Sequence, residues 1–255
     1  MNESKLAAMV ARSAGEELLA RLEREGDPRV SEKHFGEQVT NFDREINQFI
    51  IDEILAHHAG DDMVTEEADV IDGESEGRRW FIDPIDGTNN FVRNIPLYCV
   101  SVGFEKGGVM EAGAIYDPLH RSLFHTDGDK ALFQDAPMSV SKVKTLGDAM
   151  IFHGLGYDPS YKERHSAIES QIVALTKHQR NMGTAALMLA YIARGDADGF
   201  VVTGTKSWDC AAGAALVRMA GGRVTNYKGE DWTPKDEMII ASNGKIHEAL
   251  LELTK

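Results

Sequence analysis

The segment that most constrains the fold of this 255-residue chain is Asp83-Pro84-Ile85-Asp86-Gly87-Thr88, which follows the run Arg79-Trp80-Phe81-Ile82. The run predicts a buried strand, and two carboxylates at the end of such a strand cost free energy unless a cation neutralises them. Proline stiffens the turn between the two acids. Gly87 and Thr88 can open a helix whose first amides are free. We therefore predict a strand, a turn and a helix that together carry a charged site.

The chemistry of this turn indicates a phosphate site. Carboxylates are the ligands of hard cations such as Mg²⁺, and amides at a helix start suit an anion. Side by side they are the two halves of a metal-assisted phosphate site, which predicts a phosphatase. The turn does not fit two related motifs. In D-x-D-G-T phosphatases an attacking Asp would stand at Pro84, and a calcium loop of the EF-hand type needs acids at alternate positions before its glycine.

Composition sets the broad class of the protein. The length allows one large domain or two modest ones. A net charge of −14 disfavours nucleic acid or an anionic membrane as the main partner. Without a signal peptide or an apolar run of about 18 residues, we expect a cytoplasmic protein with no membrane span. Cys99 and Cys210 lack a CxxC spacing and are predicted to be free and buried. The nine histidines show no convergent spacing, so no zinc site is predicted.

Hydrophobic periodicity predicts a layered α/β sandwich in which α and β layers alternate. The first part has helices over Leu6–Leu22 and from Thr40 or Asn41 onward, separated by an irregular loop. Its hairpin pairs Tyr98–Glu105 with Val109–Tyr116, and further strands are predicted at Ser122–His125 and Met138–Val140. The second part alternates strands (Ala149–Gly154, Gly199–Val202, Arg223–Asn226, Met238–Ala241) with helices (Ser166–His178, Thr184–Ala193, Asp209–Ala220, Lys245–Leu253). We predict two subdomains, over residues 1–145 and 146–255, with the main phosphate site in the first.

Three further acidic positions complement the aspartate pair. Glu66-Glu67 follows the apolar pair Met63-Val64, Asp209 stands where a helix should begin, and Asp43 lies at the start of the second helix. Taken singly, Asp43 and Asp209 are explained as helix caps, and Glu66 as a surface acid. Their occurrence together with the turn at residues 83–88 favours one shared site.

These motifs resemble those of the inositol monophosphatase family, and the matches extend in the same order over residues 36–245. Residues 80–91 resemble its first signature, and residues 207–213 with Ala220-Gly221-Gly222 resemble its second. Glu66-Glu67 resembles its Gly-Glu-Glu element, with Thr65 in place of the glycine. Val39-Thr40 with Asp43 resembles its V-T-x-x-D element. The resemblance implies the family's layered sugar-phosphatase fold.

The resemblance also implies a magnesium site with two or three ions and an attacking water activated by the metal. Glu67, Asp83 and the Ile85 carbonyl would hold one ion. Asp83, Asp86 and Asp209 would hold a second, and Glu67 a weaker third. The water would be oriented by Thr88 and Asp43 with help from Glu67, while the amides of Gly87 and Thr88 bind the phosphate.

For the substrate, the resemblance implies a small phosphorylated metabolite bound beside Gly183 and Thr184. Val202 stands where inositol-cleaving members tend to carry a glutamate, so inositol phosphate is one candidate among several. The others are histidinol phosphate, fructose 1,6-bisphosphate and nucleotide-linked phosphates. Lys206 could meet a second anionic group or lie in solvent, and Lys33 is either a pocket lysine or a surface lysine.

Two properties and one alternative complete the reading of the sequence. The resemblance implies a homodimer and inhibition by lithium. The alternative of another class is a regulatory module that binds a metal or a sugar phosphate without catalysis. A family member without catalysis would be expected to lose a metal carboxylate or the threonine. This chain keeps all of them, so catalysis is favoured.

Overall fold

Two large β-sheets alternate with three layers of helices in the computed structural model, which describes residues 1–255, and a third sheet has only two strands. In chain order the elements are α1 (Glu3–Glu25), β1 (Val30–Glu32), β2 (Gln38–Thr40), α2 (Asn41–Leu55), β3 (Asp62–Thr65), β4 (Arg78–Asp86), α3 (Thr88–Val92), β5 (Cys99–Lys106), β6 (Val109–Asp117), β7 (Ser122–Asp127), β8 (Lys130–Phe133), β9 (Ala136–Pro137), β10 (Met150–Leu155), α4 (Lys162–Leu175), β11 (His178–Arg180), α5 (Ala185–Arg194), β12 (Gly199–Thr203), α6 (Ser207–Met219), β13 (Arg223–Thr225), β14 (Met238–Ser242) and α7 (His247–Glu252). Three short 3-10 turns complete the secondary structure.

The larger sheet has seven strands in the order β3 to β9, antiparallel except for the pair β3 and β4. The helices α1 and α2 cover one face, because their apolar positions repeat with helical spacing and are buried, as at Leu6, Val10 and Leu18. The predicted hairpin is confirmed as β5 and β6. Its turn needs glycine, since Gly107 and Gly108 both have positive φ, 58° and 86°.

The smaller sheet has five strands in the order β11-β10-β12-β14-β13, with β10 parallel to both neighbours. One core joins α4 and α7 to its outer face, and a second core fills the space between the two sheets around α5 and α6. The layers therefore run α-β-α-β-α, and the predicted layered sandwich is confirmed. The middle core draws residues from both predicted subdomains, and the division at residue 145 stays a prediction.

Helix α6 lies very close to the backbone of the larger sheet. A Cβ atom on Gly113 of β6 would stand 2.4 Å from the Ala212 carbonyl oxygen, and one on Gly103 of β5 would stand 2.8 Å from the Ala212 amide nitrogen. On the opposite side of α6, a Cβ on Gly213 would stand 2.4 Å from Leu189 Cβ. Glycine at these three positions is what allows the helix to fit between the layers.

Several boundaries differ from the prediction. The predicted loop between α1 and α2 contains the pair β1 and β2, whose three-residue strands are too short for an apolar alternation to be recognised. Residues 138–140 lie outside any strand, and α4 ends at Leu175, so that His178 belongs to β11. Both cysteines are free and buried, as predicted. None of the helices combines the length and the hydrophobicity that a membrane-spanning segment requires.

Candidate active site

A change of register at the end of β4 directs two carboxylates to the same side of the sheet. Asp83 pairs with Ser101 and Asp86 pairs with Cys99, so three steps along β4 match two steps along β5. In a regular strand, residues three apart would face opposite sides; the extra residue of a bulge removes that difference. Pro84 lies in the bulge, where its missing amide costs no ladder hydrogen bond. Both aspartates are buried.

Gly87 forms the turn from β4 into α3 in a conformation that requires glycine. Its φ is 98°, and a Cβ atom would lie 2.8 Å from the Leu97 carbonyl oxygen. The helix's own hydrogen bonds begin at Asn90 and Phe91, which donate to the Gly87 carbonyl at 2.8 and 3.0 Å. The amide of Thr88 therefore precedes the helical hydrogen-bond ladder, in the position from which an anion can be bound.

Asp86 links the larger sheet to the start of α5. It accepts hydrogen bonds from the Thr184 hydroxyl, from the Ala185 amide at 3.2 Å and from the Ala186 amide at 2.7 Å. The turn before α5 contains Gly183, with φ at 69°. The structure thus brings Thr184 directly onto the carboxylate cluster.

A second link crosses between the same two turns. The Asn90 side chain donates to the carbonyls of Leu97 and Met182, each at 2.8 Å. A Cβ on Gly183 would stand 3.1 Å from Asn90 Nδ2, so the two turns touch through this glycine. The site is therefore formed between two turns that are almost 100 residues apart in the chain.

Asp209 completes the cluster from the N-terminus of α6, where it accepts a hydrogen bond from the Lys206 amide at 2.8 Å. Burial, and after it the charge of Asp86, raises the pKa of Asp209 to about 7. Burial raises the pKa of Asp86 to about 6. The pKa of Asp83 lies well above its usual range because of burial and of the neighbouring charges of Glu66, Asp86 and Asp209. Four acids thus share one space and oppose each other's ionisation.

The two adjacent glutamates, Glu66 and Glu67, occupy different positions relative to the aspartates. The Glu66 amide continues the β3–β4 ladder by donating to the Ile82 carbonyl at 3.2 Å. Its carboxyl group faces the aspartates, and burial together with their charges raises its pKa well above the usual value. The Glu67 carboxyl group shares Lys33 with Glu66, and its pKa is also raised, mainly by burial. The glutamate that adjoins Asp83 and Asp209 is therefore Glu66.

Lys33 reaches the edge of the cluster from the connection between β1 and β2. Its Nζ is 3.2 Å from Glu66 Oε1 and 3.2 Å from Glu37 Oε1, in addition to the contact with Glu67. The side chain is only 24% exposed. Of the two interpretations of this residue, the structure supports a lysine beside the site.

Thr88 and Asp43 form the predicted pair. Thr88 Oγ1 lies 3.0 Å from Asp43 Oδ1 and 2.9 Å from the Ile85 carbonyl oxygen. The other carboxylate oxygen of Asp43 accepts from the Thr40 amide at 2.8 Å, which makes the capping box of α2. Asp43 is thus a helix cap and a neighbour of Thr88 at once, and burial raises its pKa.

The residues assigned to the substrate pocket differ in burial and in their contacts. Val202 on β12 is buried and faces Gly154. The Lys206 side chain is 56% exposed, and its Nζ lies 3.7 Å from Glu237 Oε1. Tyr157 was missed by the sequence reasoning. Its hydroxyl accepts from Asn89 Nδ2 at 3.0 Å, and burial followed by nearby carboxylate charges raises its pKa. The only signal for it was its place in the turn that follows the predicted strand Ala149–Gly154.

Comparisons with known proteins agree with this geometry. The model of the inositol monophosphatase family matches residues 3–255. The chain is 36% identical to an inositol-1-monophosphatase of Mesorhizobium japonicum, over 89% of this chain and 86% of that protein. It is 32% identical to the Nus factor SuhB of Escherichia coli, over 96% and 93% of the two chains.

A solved structure shares the same architecture. It is the extragenic suppressor protein suhB of Bartonella henselae, with a TM-score of 0.92 and 33% identity over 98% of this chain and 97% of that one. Fold, carboxylate cluster and relatives together define a phosphoric monoester hydrolase. The chain belongs to the inositol monophosphatase family.

Proposed function

We propose that this protein is a magnesium-dependent phosphomonoesterase that hydrolyses a small phosphorylated polyol or sugar. The observation that carries the proposal is the meeting of Glu66, Asp83, Asp86 and Asp209 beside the free amide of Thr88. The name of the Mesorhizobium relative, inositol-1-monophosphatase, supports the same class of substrate.

The donor set fits Mg²⁺. All side-chain donors are carboxylate oxygens, which this hard cation prefers, and burial together with mutual repulsion raises the pKa of Glu66 and Asp83, so a bound cation would stabilise their ionised forms. We assign the ligands as Glu66, Asp83, Asp86 and Asp209 with the Ile85 carbonyl, in two or three ion positions. Bound Mg²⁺ supplies positive charge that lowers the pKa of an attacking water and neutralises phosphate oxygens. Inhibition by Li⁺ is expected because a small monovalent cation can occupy one of these metal positions.

Thr88 and Asp43 are the proton acceptors in this proposal. A water beside the Thr88 hydroxyl can pass a proton to that oxygen as the water attacks phosphorus, while the hydroxyl passes its own proton to Asp43 along the hydrogen bond whose oxygen atoms are 3.0 Å apart. Burial makes Asp43 a stronger base than an exposed aspartate. In the same proposal the amides of Gly87 and Thr88 would bind the phosphate oxygens and stabilise the charge that grows on them.

We expect the substrate to make few hydrogen bonds through its hydroxyl groups to β12. Valine at position 202 cannot accept a hydrogen bond, and it is buried against Gly154. A site without this acceptor should discriminate weakly among polyols. Tyr157 and the turn at residues 181–184 remain as the polar contacts for the alcohol part of the substrate.

A panel assay of phosphate release tests the function. It compares inositol 1-phosphate, histidinol phosphate, fructose 1,6-bisphosphate, 3′-phosphoadenosine 5′-phosphate, NADP and glycerol 2-phosphate, each with and without Mg²⁺. Magnesium-dependent release from at least one of them, with the highest kcat/KM on a polyol or sugar phosphate, is the expected result. No turnover of any substrate would favour the non-catalytic binding module instead.

A matched pair of variants tests which glutamate is the ligand. Glu66→Gln should lower kcat by roughly 100-fold or more and raise the magnesium concentration needed for half-activity. Glu67→Gln alters the neighbouring position, weakens the ion pair with Lys33, and should change kcat far less. If Glu67→Gln were the more damaging variant, the assignment of Glu66 would be wrong.

The proton relay is tested separately. Thr88→Ala should lower kcat by about 100-fold or more with little change in KM, because the hydroxyl acts during the chemical step. Thr88→Ser keeps the hydroxyl and is the control. Equal activity of the alanine variant and the wild type would refute the role of Thr88.

A further inference from the structure

Two histidines and a glutamate meet on the outer face of the smaller sheet, away from the carboxylate cluster. His153 lies on β10, and His165 and Glu169 lie one helical turn apart on α4. One ligand atom from each of the three lies within 4.8 Å of the other two. The imidazole rings stack with centroids 5.9 Å apart. No spacing in the sequence indicates this cluster, because the three residues converge only when α4 packs on β10.

The cluster is not satisfied by its own contacts. His153 is only 4% exposed, and its buried Nδ1 atom has no hydrogen-bond partner. Glu169 Oε1 lies 3.7 Å from this nitrogen, and Glu169 Oε2 lies 4.0 Å from His165 Nε2. Both separations exceed a hydrogen bond. A buried nitrogen left without a partner is costly, and native structures rarely keep one without a reason.

The donor types select a particular class of cation. Two imidazoles and one carboxylate are typical ligands of Zn²⁺, whereas Mg²⁺ prefers oxygen ligands throughout. Tetrahedral Zn²⁺ with bonds near 2.1 Å needs its ligand atoms about 3.4 Å apart. The three ligand atoms must therefore approach one another from at most 4.8 Å, and Glu169, whose side chain is 45% exposed, can supply part of this contraction by a change of rotamer.

We propose that His153, His165 and Glu169 bind Zn²⁺, or a cation of the same ligand preference, at a site separate from the carboxylate cluster. The bound cation satisfies the buried Nδ1 atom of His153 and fixes the first half of α4 against β10. Three protein ligands leave one position open toward solvent on the side of Glu169. The proposal does not depend on the phosphatase reaction.

Zinc stoichiometry of the full-length protein tests the proposal. Isothermal titration with Zn²⁺ is run on the wild type, His165→Ala, Glu169→Gln and the control Glu163→Gln, which changes an exposed acid on the same helix. The wild type and the control should bind one more Zn²⁺ than His165→Ala, and Glu169→Gln should bind that ion at least about tenfold more weakly. Equal stoichiometry and affinity in all four proteins would overturn the proposal.

Two further measurements separate ligation from a folding defect. Zn²⁺ should raise the Tm of the wild type more than that of Glu169→Gln, a variant whose exposed side chain is not needed for packing. Co²⁺ in the wild type should give the intense visible absorption of a low-coordinate site with nitrogen ligands, and this absorption should be absent in His165→Ala. A cobalt spectrum that is unchanged in His165→Ala would refute the assignment of the histidines.

Discussion

The hydrogen bonds between Asp86 and the start of α5 predict a large effect of one nearly isosteric substitution. In Thr184→Val the hydroxyl that donates to Asp86 Oδ2 is lost, while the size of the side chain is kept. A hydrogen bond to a charged group contributes about 1.5–3 kcal/mol. The same hydroxyl caps α5 by accepting from the Leu187 amide at 3.4 Å, and a lost cap costs about 1 kcal/mol. We expect a total loss of about 3 kcal/mol.

Urea denaturation of the metal-free protein measures this loss, with Thr184→Ser as the matched control. The serine variant keeps both hydrogen bonds and should stay within about 1 kcal/mol of the wild type. In the valine variant, Asp86 loses a donor that favours its ionised form, so its pKa should rise above the present value of about 6. The magnesium concentration for half-activity should therefore also increase. Equal stability of the valine variant and the wild type would refute the reasoning.

Three further predictions concern other parts of the chain. His247 is buried between the hydroxyls of Thr225 and Ser242, and burial lowers its pKa from 6.5 to about 4. Its contribution to stability is therefore full above pH 6.5 and lost as the pH falls toward 4. Urea titrations should show the advantage of the wild type over His247→Gln shrinking by up to about 3 kcal/mol across that range, whereas a constant difference would contradict the assignment. Gly87→Ala should lower the free energy of unfolding by about 2–3 kcal/mol, because positive φ and the contact with Leu97 both oppose a Cβ atom. The rate of phosphate release should also fall, and a Tm equal to that of the wild type would exclude this strain. Gly213→Ala should cost about 1–3 kcal/mol by overpacking α6 against α5, while the proposed metal ligands are kept and kcat stays unchanged. A Tm equal to that of the wild type would show that the layers can separate to admit the methyl group.

The parts of the site that are local in sequence were predictable. The segment from β4 to α3 combines an apolar run, a proline and a glycine, and each of these restricts the backbone in its own way. Thr40 and Asp43 carry the composition of a capping box, and the structure forms that box. In these segments the local pattern and the tertiary environment favour the same conformation.

The choice between two adjacent glutamates was not predictable from their order. Both follow the end of β3, and which one faces the aspartates depends on one additional ladder hydrogen bond, from the Glu66 amide to Ile82. The partner that holds Glu67 is Lys33, more than 30 residues earlier in the chain. A shift of one residue along a strand reverses the side on which a side chain lies.

Contacts between separate elements were equally unpredictable from the sequence, as the cluster of His153, His165 and Glu169 shows. His153 and His165 are separated by a turn whose path no spacing rule describes, and they meet because α4 covers the face of β10 that carries His153. Short edge strands such as β1 and β11 were missed for a related reason. They have only three residues each, and their pairing partners supply the stability that their own sequence does not show.

The glycine contacts of α6 fix the position of Asp209. The helix is seated backbone against backbone on β5 and β6, so Asp209 at its first turn cannot move without displacing a sheet. Neighbouring turns are held as tightly, since a Cβ on Gly156 would stand 1.9 Å from the Gly204 carbonyl oxygen and Thr184 donates to Asp86. A descendant of this chain that acquires a new substrate while keeping the spacing of the carboxylates should therefore change exposed side chains, such as those of Tyr157 and Lys206, rather than the path of these turns.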